Sequence, residues 1–195
     1  MLFTLIALGC ADVEKPHDDH DHDHEHEVMT TVELLFTDSE GAESISLWAD
    51  PENDGDPQID DVLLSEGEYT LALRFLNEME AEPEDVTIEI NDEAEEHQVF
   101  FTGSAPLAND ENGILDISYG DVDENGLPVG LLNDLTASAG TAELTVTLRH
   151  MPPESGTPVK VEGLEDEVYA NGFDNIPGAN DISVTFPVTV EAASE

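Results

Sequence analysis

The segment AELTVTLRH, residues 142–150, alternates apolar residues with polar ones along most of its length. A period of two sends successive side chains to opposite faces of a β-strand, so the segment predicts a strand with one face in a hydrophobic core. Further segments with this alternation, or with short apolar runs rich in β-branched and aromatic residues, are 28–36, 44–49, 68–77, 85–90, 97–102, 114–119 and 181–190. Gly, Pro, Asn and Asp separate these segments, as turns require.

Eight short strands without a long amphipathic helix predict an all-β fold, and we expect an antiparallel β-sandwich, immunoglobulin-like or similar. The one helical candidate is the acidic stretch at 92–96, which is expected to be a single turn or an exposed strand end. Residues 44–77 and 115–151 also share a pattern: a strand, an acidic loop with glycine, a linker, and a strand that carries an arginine. Arg74 and Arg149 occupy corresponding places, which predicts two similar β units related by approximate two-fold symmetry.

The chain of 195 residues is strongly acidic, with 4 Lys and Arg against 47 Asp and Glu and a formal net charge of -43. Such a surface repels nucleic acid and anionic membranes, which excludes both as partners of the exposed surface, and it attracts cations. Acidic, lysine-poor surfaces are also common in proteins from saline habitats, and the composition does not separate the two origins. Hydrophobic residues still make up 39%, enough for a folded core rather than a disordered acidic tail.

The only cysteine, Cys10, follows an uncharged apolar run, MLFTLIALG, at residues 1–9. The run is too short to span a bilayer, and the tetrapeptide ALGC resembles the lipobox of bacterial lipoproteins. We therefore predict a lipoprotein signal peptide over 1–10, with a covalent lipid on Cys10 that anchors an exported protein to the outer membrane or cell surface. The membrane contact is predicted to go through this lipid alone. The alternative is a buried N-terminal strand with an inert cysteine.

Residues 11–27, ADVEKPHDDHDHDHEHE, form a low-complexity segment that we predict to be a disordered tether. Histidine alternates with aspartate and glutamate along it, and imidazole with carboxylate is a ligand set for Zn²⁺, Ni²⁺ or Cu²⁺. The predicted Zn²⁺ ligands of this tract are His17, His20, His22, His24 and His26. Binding is expected to be weak, because the tract must be ordered and lacks a second shell of hydrogen bonds. The β-sandwich domain is predicted to follow over 28–195, and the alternative for the tract is a solvated spacer that holds this domain off the membrane.

Two acidic loops have the spacing of calcium-binding loops, with oxygen-bearing side chains at the first, third and fifth places and a glycine at the sixth. The predicted Ca²⁺ ligands are Asp50, Glu52, Asp54, Asp56 and Asp61 in the first loop and Asp121, Asp123 and Asn125 in the second. Neither loop lies between predicted helices, so these would be β-loop sites rather than EF-hands. The alternative is that the same residues form hairpin turns without an ion.

The signature motifs GxSxG, HExxH, GxGxxG and the Walker loop do not occur in the chain, and we expect a protein without enzymatic activity. His97 lies beside Glu95 and Glu96 and could act as a base, but a surface histidine beside acids is the commoner arrangement. Arg74 and Arg149 are expected to pair with carboxylates on the strands.

Several segments resemble those of a family of small acidic lipoproteins found in Bacteroidota and related marine or predatory bacteria: Asp85–Phe101, Asp121–Leu131, Ala142–Pro152 and Asp181–Val188. Members are often labelled type 1 periplasmic binding fold superfamily proteins. That label implies two α/β domains, whereas the residue pattern here predicts strands. The resemblance implies an exported lipoprotein and assigns no catalytic residue.

From these features we expect a non-enzymatic, lipid-anchored binding or adhesion module of the cell envelope, with loops ordered by Ca²⁺ and a protein or glycan partner. The alternative is a metal-handling lipoprotein whose His/Asp-rich tract captures Zn²⁺ for a transporter. A third hypothesis is a carbohydrate- or peptide-binding accessory subunit.

Overall fold

The computed structural model describes residues 28–79 and 82–193, so the predicted signal peptide, Cys10 and the His/Asp-rich tract lie outside the described residues. The described part contains strands joined by loops, with two short helices. In chain order the elements are β1 (Thr31–Asp38), β2 (Glu43–Ala49), β3 (Gln58–Ile59), β4 (Val62–Ser65), β5 (Gly67–Asn77), β6 (Glu84–Asp85), α1 (Thr87–Asp92), β7 (His97–Gly103), β8 (Leu115–Tyr119), β9 (Leu132–Ala137), β10 (Gly140–His150), α2 (Leu164–Asn171) and β11 (Ala179–Glu191).

The strands form two sheets. The larger sheet has the order β3-β2-β1-β5-β9-β8, with β6 paired to β5, and the smaller sheet has the order β4-β11-β10-β7. All neighbours are antiparallel except β11 and β4, which run parallel. The prediction of an all-β sandwich is confirmed. Neither helix in the described ranges is long and apolar enough to cross a membrane.

The main core lies between the two sheets and is built from the alternating residues of their inner faces. The larger sheet contributes Phe36 and Phe75, and the smaller sheet contributes Phe101 and Phe186, all nearly without solvent exposure. A second, smaller cluster lies on the other side of the smaller sheet. Phe100 faces away from the main core, since neighbouring residues of a strand face opposite sides, and α2 covers it.

The predicted strand over 85–90 is wrong. The structure has only the two-residue β6 there, followed by α1. Val86 and Ile90, four residues apart, are buried, whereas Ile88 is 65% exposed. A strand would have placed all three on one face, but a helix places only the first and the last together. The sequence alternation was compatible with both periods over so short a segment.

Two kinds of element were missed because their apolar residues are few. The strand β9, LNDLTA, buries the polar Asn133 and exposes Leu132, so polarity alone did not indicate a strand. The helix α2 buries only Leu164 and Val168, which are one turn apart. The secondary structure of β9 and α2 therefore depends on the elements that pack against them more than on their own amino-acid composition.

The structure does not arrange the two predicted β units alike. In the first unit, β2 and β5 lie in the larger sheet on either side of β1. In the second unit, β8 lies at an edge of the larger sheet, whereas β10 lies at the centre of the smaller one. A two-fold relation would require matching positions, so the predicted symmetry between the units is wrong.

Candidate metal centre

The two histidines of the sandwich meet at one end of the smaller sheet. His97 is the first residue of β7 and His150 the last of β10, and the antiparallel register makes them direct cross-strand neighbours. Their rings stack with centroids 4.6 Å apart and planes 9° from parallel. His97 is buried, so the predicted surface histidine beside acids is wrong for this residue.

The carboxylate of Glu93, in the turn between α1 and β7, lies close to both rings. Glu93 follows the last residue of α1, and its backbone N–H donates to Glu89 O at 2.9 Å. The next turn is closed by the Glu96 N–H, which donates to Glu93 O at 2.9 Å. In this geometry Glu93, His97 and His150 each offer one ligand atom, and the three atoms lie within 4.8 Å of one another. Within residues 28–79 and 82–193, no other group of three His, Asp or Glu side chains meets this condition.

The hydrogen bond of His97 defines which of its nitrogens can bind a metal. Nδ1 lies 3.1 Å from Glu93 O, and because a carbonyl oxygen only accepts, Nδ1 must donate. Nε2 of the neutral ring then carries the lone pair. A backbone carbonyl that accepts from the other ring nitrogen is the usual support of a metal-binding histidine, since it fixes both tautomer and orientation.

The neutral form of His97 is the one favoured at neutral pH. Burial lowers the pKa of His97 to about 4, because desolvation disfavours the charged ring. The hydrogen bond to Glu93 O opposes this shift, and the charges of His150 and Lys160 add to it. A metal ion at Nε2 would therefore not have to displace a proton from that nitrogen.

Two more carboxylates lie beside the rings. Glu96 Oε2 is 3.4 Å from His150 Nε2, and Asp181 Oδ2, from β11, is 3.8 Å from His97 Nε2. Imidazole nitrogen with carboxylate oxygen is the ligand set of Zn²⁺ and neighbouring transition metals.

The nitrogen lone pairs of a histidine lie in the plane of its ring, so two stacked parallel rings can bind one ion only if one of the rings rotates. His150 is the ring with room to do so, since its side chain is 15% exposed whereas that of His97 is 2% exposed.

A buried ion pair supports the turn that carries these ligands. Lys160 Nζ lies 2.9 Å from Asp123 Oδ2 and donates to Ala94 O at 2.7 Å. Burial lowers the pKa of Lys160, while the adjacent Asp123 carboxylate opposes that shift. Asn125 Nδ2 also donates to Glu95 Oε1 at 2.8 Å. The loop after β8 is thus tied to the residues between α1 and β7.

In the second predicted calcium loop, the aspartates predicted as Ca²⁺ ligands accept hydrogen bonds from the backbone of the protein. Asp121 accepts hydrogen bonds from the backbone N–H groups of 130, 131 and 132. Asp123 Oδ1 accepts from the N–H groups of Asn125 and Leu127, and its other oxygen contacts Lys160. The structure therefore has these oxygens engaged within the protein rather than converging on one point. The Ca²⁺ site of this loop stays a prediction.

The first predicted calcium loop is also organised by its own backbone. Asp50 is buried and accepts hydrogen bonds from the N–H groups of Asp54 and Gly55 on its two oxygens. Asp54 in turn accepts from the N–H of Asp56. The side chains of Glu52, Asp54, Asp56 and Asp61 are exposed. The bond from the Asp56 N–H to Asp54 is that of an Asx turn, and the Ca²⁺ site of this loop likewise stays a prediction.

The Zn²⁺ ligands predicted in the tract and the lipidated Cys10 lie outside the described residues, and nothing in the structure bears on them. Comparison of the chain with protein-family models, with curated proteins and with solved structures finds no match. The resemblance to small acidic lipoproteins therefore stays a prediction. The group of Glu93, His97 and His150 was not predicted from the sequence, because His97 and His150 are far apart in the chain and no motif links them.

Proposed function

We propose that this protein is a metal-handling lipoprotein of the cell envelope, whose β-sandwich binds a divalent transition-metal ion of the Zn²⁺ class at Glu93, His97 and His150. The observation that supports it best is the convergence of two imidazoles and a carboxylate within 4.8 Å. The proposed anchor is the lipid on Cys10, and no catalytic step is part of the proposal.

The chemistry of the ligands favours this class of metal over calcium. Ca²⁺ and Mg²⁺ take oxygen ligands, whereas the two central groups here are nitrogen donors. His97 is neutral and oriented through Nδ1, so its part of the site is formed before an ion arrives. The burial of that ring also limits exchange of a bound ion with water.

The tract and the sandwich site would then have different tasks. The tract offers alternating imidazole and carboxylate groups, a set suited to fast and weak capture. The site at the end of the sheet offers fewer ligands in a defined setting, which is suited to retention. A large negative net charge raises the local concentration of cations around both.

Titration with Zn²⁺ in competition with a chelator tests the proposal. The full chain carries His17→Asn, His20→Asn, His22→Asn, His24→Asn and His26→Asn, so that uptake reports on the sandwich alone. We expect one Zn²⁺ per chain, loss of that ion in His97→Gln and in His150→Gln, and weaker binding in Glu93→Gln. Glu89→Gln is the matched control, because Glu89 lies on the same helix and is exposed.

Circular dichroism verifies that each variant is folded before the titration is interpreted. No saturable Zn²⁺ uptake by the background protein would overturn the proposal. Uptake that is equal in the background protein and in both histidine variants would overturn it as well, since the ion would then bind elsewhere.

A further inference from the structure

A β-bulge interrupts the pairing of β10 with β11 beside the metal centre. The two strands pair residue by residue from Gly140↔Val190 to Leu148↔Ile182, and the next pair is Arg149↔Asn180. Asp181 therefore has no opposite residue on β10. Bulges of this kind re-aim a side chain and are frequent next to functional sites.

The bulge changes the face on which Asp181 lies. Leu148 and Ile182 face the main core, whereas the Arg149 and Asn180 side chains meet on the opposite face, where Arg149 donates to Asn180 Oδ1 at 2.6 Å. With strict alternation, the residue next to Ile182 would also lie on that opposite face. Instead the Asp181 side chain, 3% exposed, reaches over β10 to His97 on β7. Asp181, His150 and His97 thus lie across three adjacent strands.

At this contact a ring nitrogen of His97 faces an oxygen of the Asp181 carboxyl group. His97 Nδ1 donates to Glu93 O, so the lone pair of the neutral ring is on Nε2, and Nε2 is the atom 3.8 Å from Asp181 Oδ2. A lone pair and a carboxylate oxygen repel each other unless a cation or a proton lies between them. Zn²⁺ bonds to nitrogen and oxygen are about 2.0–2.2 Å, so two ligands at a tetrahedral angle are about 3.4 Å apart. For this pair the observed separation needs an adjustment of only a few tenths of an ångström, whereas a larger movement is needed to bring Asp181 together with Glu93 and His150, since Asp181 is outside the group that lies within 4.8 Å.

We propose that Asp181, placed by the bulge in β11, is a further ligand of the metal ion and binds it together with Nε2 of His97. This inference rests on the proposed function, because it names an additional ligand of the same ion. It adds the buried carboxylate of Asp181 to the half-buried carboxylate of Glu93. A bound ion would then exchange with solvent more slowly than in a site of Glu93, His97 and His150 alone.

Asp181 also has a structural role to be separated from this one. Burial lowers the pKa of Arg149, and the negative charge of Asp181 opposes that shift, so the carboxylate acts as a counter-charge to the guanidinium. A direct ion pair between Asp181 and a protonated His97 is the other arrangement that fits the same contact. Both of these roles affect the stability of the fold, and neither places an oxygen of Asp181 on the metal ion.

The experiment uses Co²⁺ as a spectroscopic probe and Zn²⁺ as its competitor. In the full chain with the five tract substitutions, we compare Asp181→Asn with the background protein. We expect a change in the visible absorption of bound Co²⁺ and a loss of Zn²⁺ affinity of at least about 100-fold, more than removal of an outer-shell group usually causes. Asp134→Asn is the matched control, because it makes the same charge change at an exposed position of the other sheet.

The outcomes separate this inference from the proposed function. If the background protein binds one metal ion and Asp181→Asn binds it with the same affinity and spectrum, Asp181 is not a ligand, while the proposed function stands. If the background protein binds no metal, both fail. Should Asp181→Asn not fold, Asp181→Glu keeps the charge near Arg149 but moves the oxygens, and an unchanged Co²⁺ spectrum in that variant would also overturn the inference.

Discussion

The central strands of the two sheets, β5 and β10, have the same length and the same inner face but end differently. Each has 11 residues, begins with glycine and buries its fifth, seventh and ninth residues. Arg74 of β5 is 46% exposed in its side chain and pairs with Glu33 at 3.6 Å and Asp85 at 2.9 Å. Arg149 of β10 is buried and donates to the backbone carbonyls of Ile176, Pro177 and Gly178 and to Asn180 Oδ1.

The difference shows that equal local patterns do not imply equal surroundings. The end of β10 is covered by α2 and the segment that follows it, and the Arg149 guanidinium lies 5.4 Å from the centre of the Phe173 ring. The predicted pairing with strand carboxylates is confirmed for Arg74, which contacts Glu33 of β1 and Asp85 of β6. For Arg149 the hydrogen bonds go to carbonyl and amide oxygens instead. Buried ionisable groups are thus concentrated at the end of the sheet that carries the two histidines.

The largest expected effect is on the buried arginine. Arg149→Met removes the donors of four hydrogen bonds, of which the bond to Ile176 O is buried and the bonds to Pro177 O, Gly178 O and Asn180 Oδ1 are partly buried. We expect the free energy of unfolding to fall by about 5 kcal/mol, since the unsatisfied buried carbonyl of Ile176 costs about 1–3 kcal/mol and each of the three partly buried hydrogen bonds contributes about 0.5–1.5 kcal/mol. Urea unfolding followed by tryptophan fluorescence measures it. A loss below about 1 kcal/mol would remove the distinction between the two strand ends.

A smaller effect is expected from acidification, and it arises at the same end of β10. The pKa of His97 is about 4 in the folded protein because of its burial, against 6.5 for the unperturbed side chain. Between these values the unfolded chain binds more protons than the folded one, so stability falls as the pH is lowered from 6.5 towards 4. The loss approaches about 3 kcal/mol below pH 4.

Carboxylates titrate in part of the same range, so a difference measurement isolates the histidine. Unfolding free energies of the metal-free protein and of His97→Gln are compared from pH 7 to pH 4. We expect the two curves to approach each other as the pH falls. Parallel curves would mean that His97 has the same pKa in both states.

The smallest effect is expected at the exposed arginine. Arg74→Met breaks a pair with Glu33 and Asp85 that water and salt already screen, and exposed pairs contribute only about 0–1 kcal/mol. The change in unfolding free energy should fall below about 1 kcal/mol and shrink further in 1 M salt. A loss as large as that of Arg149→Met would show that the two arginines are equivalent, as their places in the sequence indicated.

Much of the fold was predictable because the relevant signal is local. Segments 28–36, 44–49, 68–77, 97–102, 114–119, 142–150 and 181–190 each correspond to a strand of the structure. The polar strand β9 and the helix α2 were not predicted, because few of their residues are apolar and their partners come from distant parts of the chain. The helix α1 was predicted as a strand, because the alternation of so short a segment fits both periods. The candidate site was the least predictable part. His97 was noted singly, as a base beside acids, and neither His150 nor Asp181 was connected with it.

The alternation of side chains along the chain was sufficient for the all-β class and for the buried faces of the long strands, since period and polarity are properties of neighbouring residues. It could not show which strands are neighbours. The packing of both sheets around one core places β10 between β7 and β11. It also sets the register that brings His150 opposite His97 and the bulge that turns Asp181 towards them. Register and bulges depend on contacts between residues far apart in the chain, so only the tertiary structure decides them.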